Sequence, residues 1–173
     1  MTWFVMRDLT RANSKTSAYT LLQEAGFSVY TPLTWRLRER GGRKMREQVP
    51  VIRDLLFVDS TREELDPFVE SLPTLQYRYR RGGQYRESLT VRDADMRRFI
   101  TATCEAPDPI FFSPGEISAS MVGRKVEIIG GPLHGFQGNL LSVKGMRKKR
   151  LIVEIPDMIS AAVEVAPEFI RFV

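Results

Sequence analysis

Three prolines and a glycine fall within the eleven residues Glu105-Ala106-Pro107-Asp108-Pro109-Ile110-Phe111-Phe112-Ser113-Pro114-Gly115. Proline lacks the amide hydrogen that a helix interior or a central strand needs, so neither element can continue through this stretch. A chain of 173 residues broken here is expected to form two small units, joined by a linker over residues 105–118. The residue patterns on the two sides of the break differ, which supports the division.

On the N-terminal side, helix and strand signals alternate. Trp3-Phe4-Val5-Met6 is a short apolar run that suits a buried strand. Ala18, Leu21, Leu22 and Ala25 recur at helical spacing, and Gly26 supplies a stop. Phe27 to Tyr30 alternates as a strand does, and Val49 to Val58 is strand-like after Pro50. Ser60-Thr61-Arg62-Glu63-Glu64 offers two capping boxes for a helix reaching about Leu72. Leu75 to Arg80 reads as a strand, Gly82-Gly83 as a turn and Gln84 to Thr90 as a weaker return strand. A last helix starts near Thr90 to Asp93, with Val91, Ala94, Met96, Phe99, Ile100 and Thr103 available for its buried face. The succession predicts an α+β unit, a mixed or antiparallel sheet with helices on one face. On the C-terminal side, five short strands are expected near residues 125–129, 139–144, 151–155, 162–165 and 169–173. Separated by Gly, Pro and Lys turns, they predict a small β-barrel.

Composition removes several chemistries. The single Cys104 and the single His134 exclude an intramolecular disulfide, a cysteine zinc site and a histidine-cluster metal site. No cofactor and no metal are therefore expected. MTWFVMRDLT lacks the basic and apolar regions of a signal peptide, and no apolar run approaches a membrane span, so the expected place is the cytoplasm, without a membrane partner. The carboxylate pairs Asp93/Asp95 and Glu63/Glu64 sit at helix starts, where capping and the helix dipole explain them. The chain is accordingly read as no enzyme. Its net charge of +5 and pI of about 9.6 are compatible with nucleic acid.

The basic residues are clustered. Arg36, Arg38, Arg40, Arg43, Lys44 and Arg46 stand with two acids around Gly41-Gly42, a pattern for a basic hairpin or a mobile loop. A solvated surface is the ordinary reading of such a block. Five arginines to one lysine favour phosphate, which the planar guanidinium fork matches. Arg78, Arg80 and Arg81 interleave with Tyr77, Tyr79 and Tyr85, which suits single-stranded nucleic acid. Two-sided strand packing explains those tyrosines almost as well. Lys144, Arg147, Lys148, Lys149 and Arg150 mark a third basic turn, either solvated or an RNA contact.

The sharpest local signal is Gly123-Arg124-Lys125-Val126-Glu127-Ile128-Ile129-Gly130-Gly131-Pro132-Leu133-His134-Gly135-Phe136-Gln137-Gly138-Asn139-Leu140. It is no phosphate loop, because no G-K-[ST] follows and no helix succeeds it. His134 is read as a turn residue. The pattern, with Gly130, Gly131, Pro132, Phe136 and Gly138, resembles the KOW motif of NusG-type transcription factors and of several ribosomal proteins. The N-terminal half extends the resemblance through Trp3-Phe4-Val5, Gly26-Phe27, Tyr30-Thr31-Pro32-Leu33, Val49 to Val58, and Ser71 to Leu75 leading to Gly82-Gly83. That order is similar to the NGN domain of the NusG family. The resemblance thus implies an NGN domain at 1–104, a linker at 105–118 and a KOW barrel at 119–173. One departure stands out: Ile52-Arg53-Asp54-Leu55-Leu56-Phe57-Val58 replaces the family's F-P-G-Y-x-F-V-like stretch. This looks like a specialised paralogue, most similar to the UpxY type and more distantly to RfaH.

The resemblance implies a transcription elongation or antitermination factor that binds the clamp helices of bacterial RNA polymerase and suppresses pausing or termination, with polysaccharide operons as targets. Carried over residue by residue, polymerase docking falls on Ile52 and Leu55, extended by Leu75 and Tyr77. Ile52 and Leu55 read equally well as sheet core. Non-template DNA is the implied partner of the basic arm, and the ribosome, Rho or another factor that of the KOW domain. The competing class is a KOW-containing RNA-binding protein of the translation machinery, which leaves the N-terminal half unexplained.

Overall fold

In a computed structural model, residues 2–11 and 16–173 are described. The chain divides into two compact units, Met1–Asp93 and Ala94–Val173.

The first unit contains β1 (Thr2–Asp8), α1 (Ala18–Glu24), β2 (Ser28–Tyr30), β3 (Leu33–Arg40), β4 (Arg43–Pro50), β5 (Leu55–Ser60), α2 (Arg62–Ser71), β6 (Leu75–Tyr77) and β7 (Thr90–Arg92). Trp3, Phe4, Val5 and Met6 are all buried, which places β1 inside the sheet rather than at its edge. The order is β2-β5-β1-β6, with β7 also on β1, and every pairing is antiparallel. β6 and β7 share one edge of β1, at Met6–Asp8 and Thr2–Phe4 respectively.

Strand alternation sorts the apolar residues between the two faces. Phe4, Met6, Leu56, Val58, Leu75 and Tyr77 pack with Ala18 and Leu22 of α1 and Leu65 of α2. Each Val, Leu, Phe or Met among them contributes about 1.5–3 kcal/mol when fully buried. Trp3, Val5, Leu55 and Phe57 are buried on the opposite face. Thr61 accepts the Glu64 amide, as one of the two expected capping boxes requires, and Ser17, not singled out from the sequence, caps α1 by accepting the Thr20 amide. Gly26 follows α1 at φ +89°, a conformation that only glycine takes without strain.

Three expectations are corrected in this unit. The strand expected over 49–58 is broken, because β4 ends at Pro50 and residues 51–54 turn before β5 begins. The Leu55 amide donates to the Ile52 carbonyl in that turn. The strand expected over 75–80 is ordered as β6 only to Tyr77. The expected return strand shrinks to a single Tyr79–Ser88 bridge and the short β7.

The second unit contains α3 (Asp93–Glu105), β8 (Ile110–Phe112), β9 (Val122–Ile128), β10 (Gln137–Leu141), β11 (Arg150–Ile155), β12 (Ile159–Glu164) and β13 (Ile170–Phe172). Its six strands form one antiparallel sheet in the order β13-β9-β10-β11-β12-β8. Among the described residues no pairing joins β13 to β8, so the sheet is not closed as the expected barrel. The sixth strand comes from the proline-rich stretch. Proline is tolerated at a sheet edge, and β8 is an edge strand beside Pro109. Buried Arg150 donates to the Asp108 and Ala162 carbonyls, at 2.7 and 3.3 Å, which fastens the approach to β8 onto β12. The Phe99 and Phe111 rings meet at 6.5 Å. These contacts explain why α3 and β8 join the C-terminal strands, although the sequence pattern changes only after residue 104. Met96, Phe99, Ala102 and Thr103 form the buried face of α3. Ala94, expected on that face, is exposed.

Candidate nucleic-acid interface

The basic arm is an ordered hairpin. β3 and β4 pair over eight registered positions, from Leu33↔Pro50 to Arg40↔Arg43, and form a sheet of their own. Gly41 and Gly42 make the turn at φ +57° and +77°, the left-handed geometry that two-residue hairpin loops demand. At about 3.3 Å per residue the ribbon is roughly 26 Å long. Residues directly opposite one another share a face. Arg36, Arg38, Arg40 and Arg43 therefore lie on one face, with Thr34, Met45, Glu47 and Val49. Lys44 and Arg46 lie on the other, with Leu33, Trp35, Leu37, Glu39, Gln48 and Pro50.

The first face is a line of arginines with one acid. Arg38 meets Glu47 at 3.3 Å, while Arg36, Arg40 and Arg43 have no ion pair among the described residues. The second face is mixed. Trp35 is 57% exposed and Leu37 67% exposed, and the Arg46 guanidinium lies over the Trp35 ring at 4.9 Å. Sequence reasoning missed Trp35 and Leu37. Their signal was available in the odd spacing that alternates with Arg36 and Arg38.

The second basic run is divided by its neighbours. Arg78 joins Arg7 on the Asp54 carboxylate, both at 3.3 Å, so it braces the turn before β5. Arg80 pairs with Glu87 at 3.6 Å. Arg81 is exposed, as are Tyr79 and Tyr85, the latter at 88%. Tyr77 belongs to the core instead. Its hydroxyl donates to Asp66 at 2.8 Å, and burial together with that bond holds the phenol well above its ordinary range.

The four residues assigned to docking do not share one patch. Leu75 and Tyr77 are buried in the helix-covered core, and Leu55 is buried on the opposite face of the sheet. Ile52 is half-buried in the turn beside exposed Arg53. Adjacent positions on a strand face opposite sides, and a turn ahead of β5 decides which side Leu55 takes.

In the second unit, Gly130-Gly131-Pro132 forms the turn after β9. The Gly130 amide donates to Nδ1 of His134 at 2.9 Å, which gives the histidine a turn-closing role. Gly130 and Gly131 sit at φ +118° and +68° against the Phe169 ring, and a Cβ on Gly130 would come within 2.6 Å of it. Gly138 serves close approach: a Cβ there would meet the Ile152 carbonyl at 3.0 Å. Phe136 lies beneath Arg98 of α3, which also donates to the Gln137 carbonyl. Of the third basic cluster, Arg150 is buried and Lys148 pairs with Glu164, while Lys144, Arg147 and Lys149 are exposed.

Among the described residues, no group of three or more His, Cys, Asp or Glu side chains is placed to hold a metal. No helix among them is long and apolar enough to cross a membrane. No protein-family model matches the chain, and no curated protein matches it. Among solved structures, one described as "Domain interaction in Thermotoga maritima NusG" aligns with 99% of this chain and 97% of its own, at 19% identity and a TM-score of 0.47.

Proposed function

We propose that the chain is a NusG-type transcription elongation or antitermination factor, specialised in the manner of the UpxY and RfaH types and acting on polysaccharide operons. One observation carries the reading: an α+β segment with an arginine-lined ribbon precedes a β-rich segment with a G-G-P-L-H-G-F-Q-G turn. The first segment, 1–104 by sequence pattern, would be the polymerase-binding NGN domain. Residues 105–118 would connect it to a KOW domain at 119–173.

The mechanism needs no bond-making chemistry. Binding across polymerase elements beside the main cleft would hold the clamp closed, so that pausing, backtracking and termination fall. The energy comes from apolar docking and from charge-assisted contacts to DNA phosphates. Ile52 is the docking residue most open to a partner, with Leu55 three positions on. Leu75 and Tyr77 lie in the helix-covered core and would not reach that surface. The KOW domain would recruit a second partner, such as the ribosome or Rho.

The test uses the full chain and a purified fragment bearing the polymerase clamp helices. Binding in the micromolar range is expected, weakened at least about ten-fold by Ile52→Asp, since a charge must then be desolvated at the interface. No binding, or unchanged binding by the Ile52→Asp protein, would count against the reading.

A further inference from the structure

We propose that the chain pairs with a second copy of itself, the Trp35 and Leu37 face of each β3–β4 ribbon seating in an acidic groove beside the start of α2 in the partner.

The groove has a volume of about 660 Å³ and lies where the end of α1, the start of β2, the end of β5 and α2 come together. Phe27, Pro67 and Phe68 form its apolar part. The two rings meet edge to face at 4.9 Å and are only half-buried, so part of each stays open to an occupant. Asp59, Glu63 and Glu64 supply its charge. Glu64 accepts from the Ser60 hydroxyl, whereas Asp59 and Glu63 have no ion pair among the described residues. Such a groove selects an occupant that combines large apolar side chains with positive charge.

The ribbon carries that combination. Trp35 and Leu37 are exposed, and Lys44 and Arg46 share their face. Leu37 stands directly opposite Arg46, whose guanidinium covers the Trp35 ring, so anchors and charge form one patch. Trp and Arg are among the side chains that most often anchor protein interfaces. The charges also match. Residues 33–50 hold six basic and two acidic groups, and residues 59–70 hold one basic and five acidic, a net of +4 against −4.

The contact has to be made between copies. The ribbon returns through the 51–54 turn to Leu55, while the groove lies at the other end of β5, at Asp59 and Ser60, roughly 15 Å away. The exposure of Trp35 and Leu37 shows that the ribbon is not seated in the groove of its own chain. Reciprocal exchange closes the pair with two identical contacts. A one-way contact would leave a ribbon and a groove open at the ends and would keep growing.

Sedimentation equilibrium of the full chain, from about 1 to 100 μM, tests the proposal. The mass should rise from 19.9 kDa toward twice that value. Added salt should weaken the pair. Two double variants, Asp59→Lys with Glu63→Lys and Lys44→Glu with Arg46→Glu, should each weaken pairing at least about ten-fold, because both contacts then juxtapose like charges. Mixed in equal amounts, the two should pair again, since each groove then meets a ribbon patch of opposite charge. Leu37→Ser should also weaken pairing and leave the thermal unfolding of the monomer in place; being a change at an exposed site, it carries the test should a double variant fail to fold. A monomer across the whole range would overturn the proposal. So would unchanged pairing in the variants, no recovery on mixing, or growth beyond a dimer.

Discussion

Residue by residue, the structure redistributes the side chains that composition groups together. Tyr77, Tyr79 and Tyr85 look alike in sequence, yet one is a core residue and two are exposed. Tyr77 is fixed by the Asp66 acceptor and by edge-on packing against Phe4, with ring centroids 5.7 Å apart. Tyr77→Phe removes one hydrogen bond and should lower stability by about 1 kcal/mol in urea unfolding at neutral pH. The phenol also sets an alkaline dependence. The folded state holds this proton above the pH, near 10, at which the unfolded chain releases it, so stability falls as pH rises beyond that value. In Tyr77→Phe this part of the alkaline loss should disappear, as paired urea titrations at pH 9 and pH 11 would reveal. Gly130 is the second sensitive position. Gly130→Ala sets a Cβ against the Phe169 ring in a strained conformation, with an expected cost of about 2 kcal/mol or more. Gly135→Ala meets open space and carries only the left-handed penalty of about 1–2 kcal/mol. Thermal melts of the two variants should rank in that order.

Among the elements, helices and the turns with positive φ were legible because their signals are local. The α2 cap Thr61, Gly26 and Gly41-Gly42 each stand within a few positions of the structure they determine. The edges of strands were less legible, because they depend on distant partners. Leu55 opens a new strand after the 51–54 turn, which Asp54 braces through Arg7 and Arg78, residues 47 and 24 positions away. The strand at 110–112 escaped because proline signals hide an edge strand whose approach at Asp108 is held by a buried arginine 42 positions on. The ribbon is the element on which the proposed DNA contact depends. A lone two-stranded hairpin is marginal in water, so its turn carries much of its order. Replacing Gly41 and Gly42 together by alanine should fray the ribbon and weaken DNA binding several-fold. The core around Leu22 and Leu56 lies elsewhere, so the main unfolding transition should stay in place. Anisotropy and circular dichroism melts on one sample check both halves of that expectation.

For the whole molecule, the net charge of +5 conceals a strong separation. The first 105 residues hold 18 of the 26 basic side chains, and the structure concentrates four arginines on one face of the ribbon. The G-G-P turn was legible in the sequence because its signal is local. Which apolar residues stay open to a partner was not, since that depends on the sides of the sheet that the helices cover. The most direct measurement is transcription in vitro, with purified bacterial RNA polymerase reading through a long leader that contains pause and termination sites. Addition of the full-length protein should shorten pauses and raise readthrough, and Ile52→Asp should abolish the effect. Unchanged pausing and readthrough on leaders from several polysaccharide operons, with the protein in large excess over polymerase, would contradict a role in elongation.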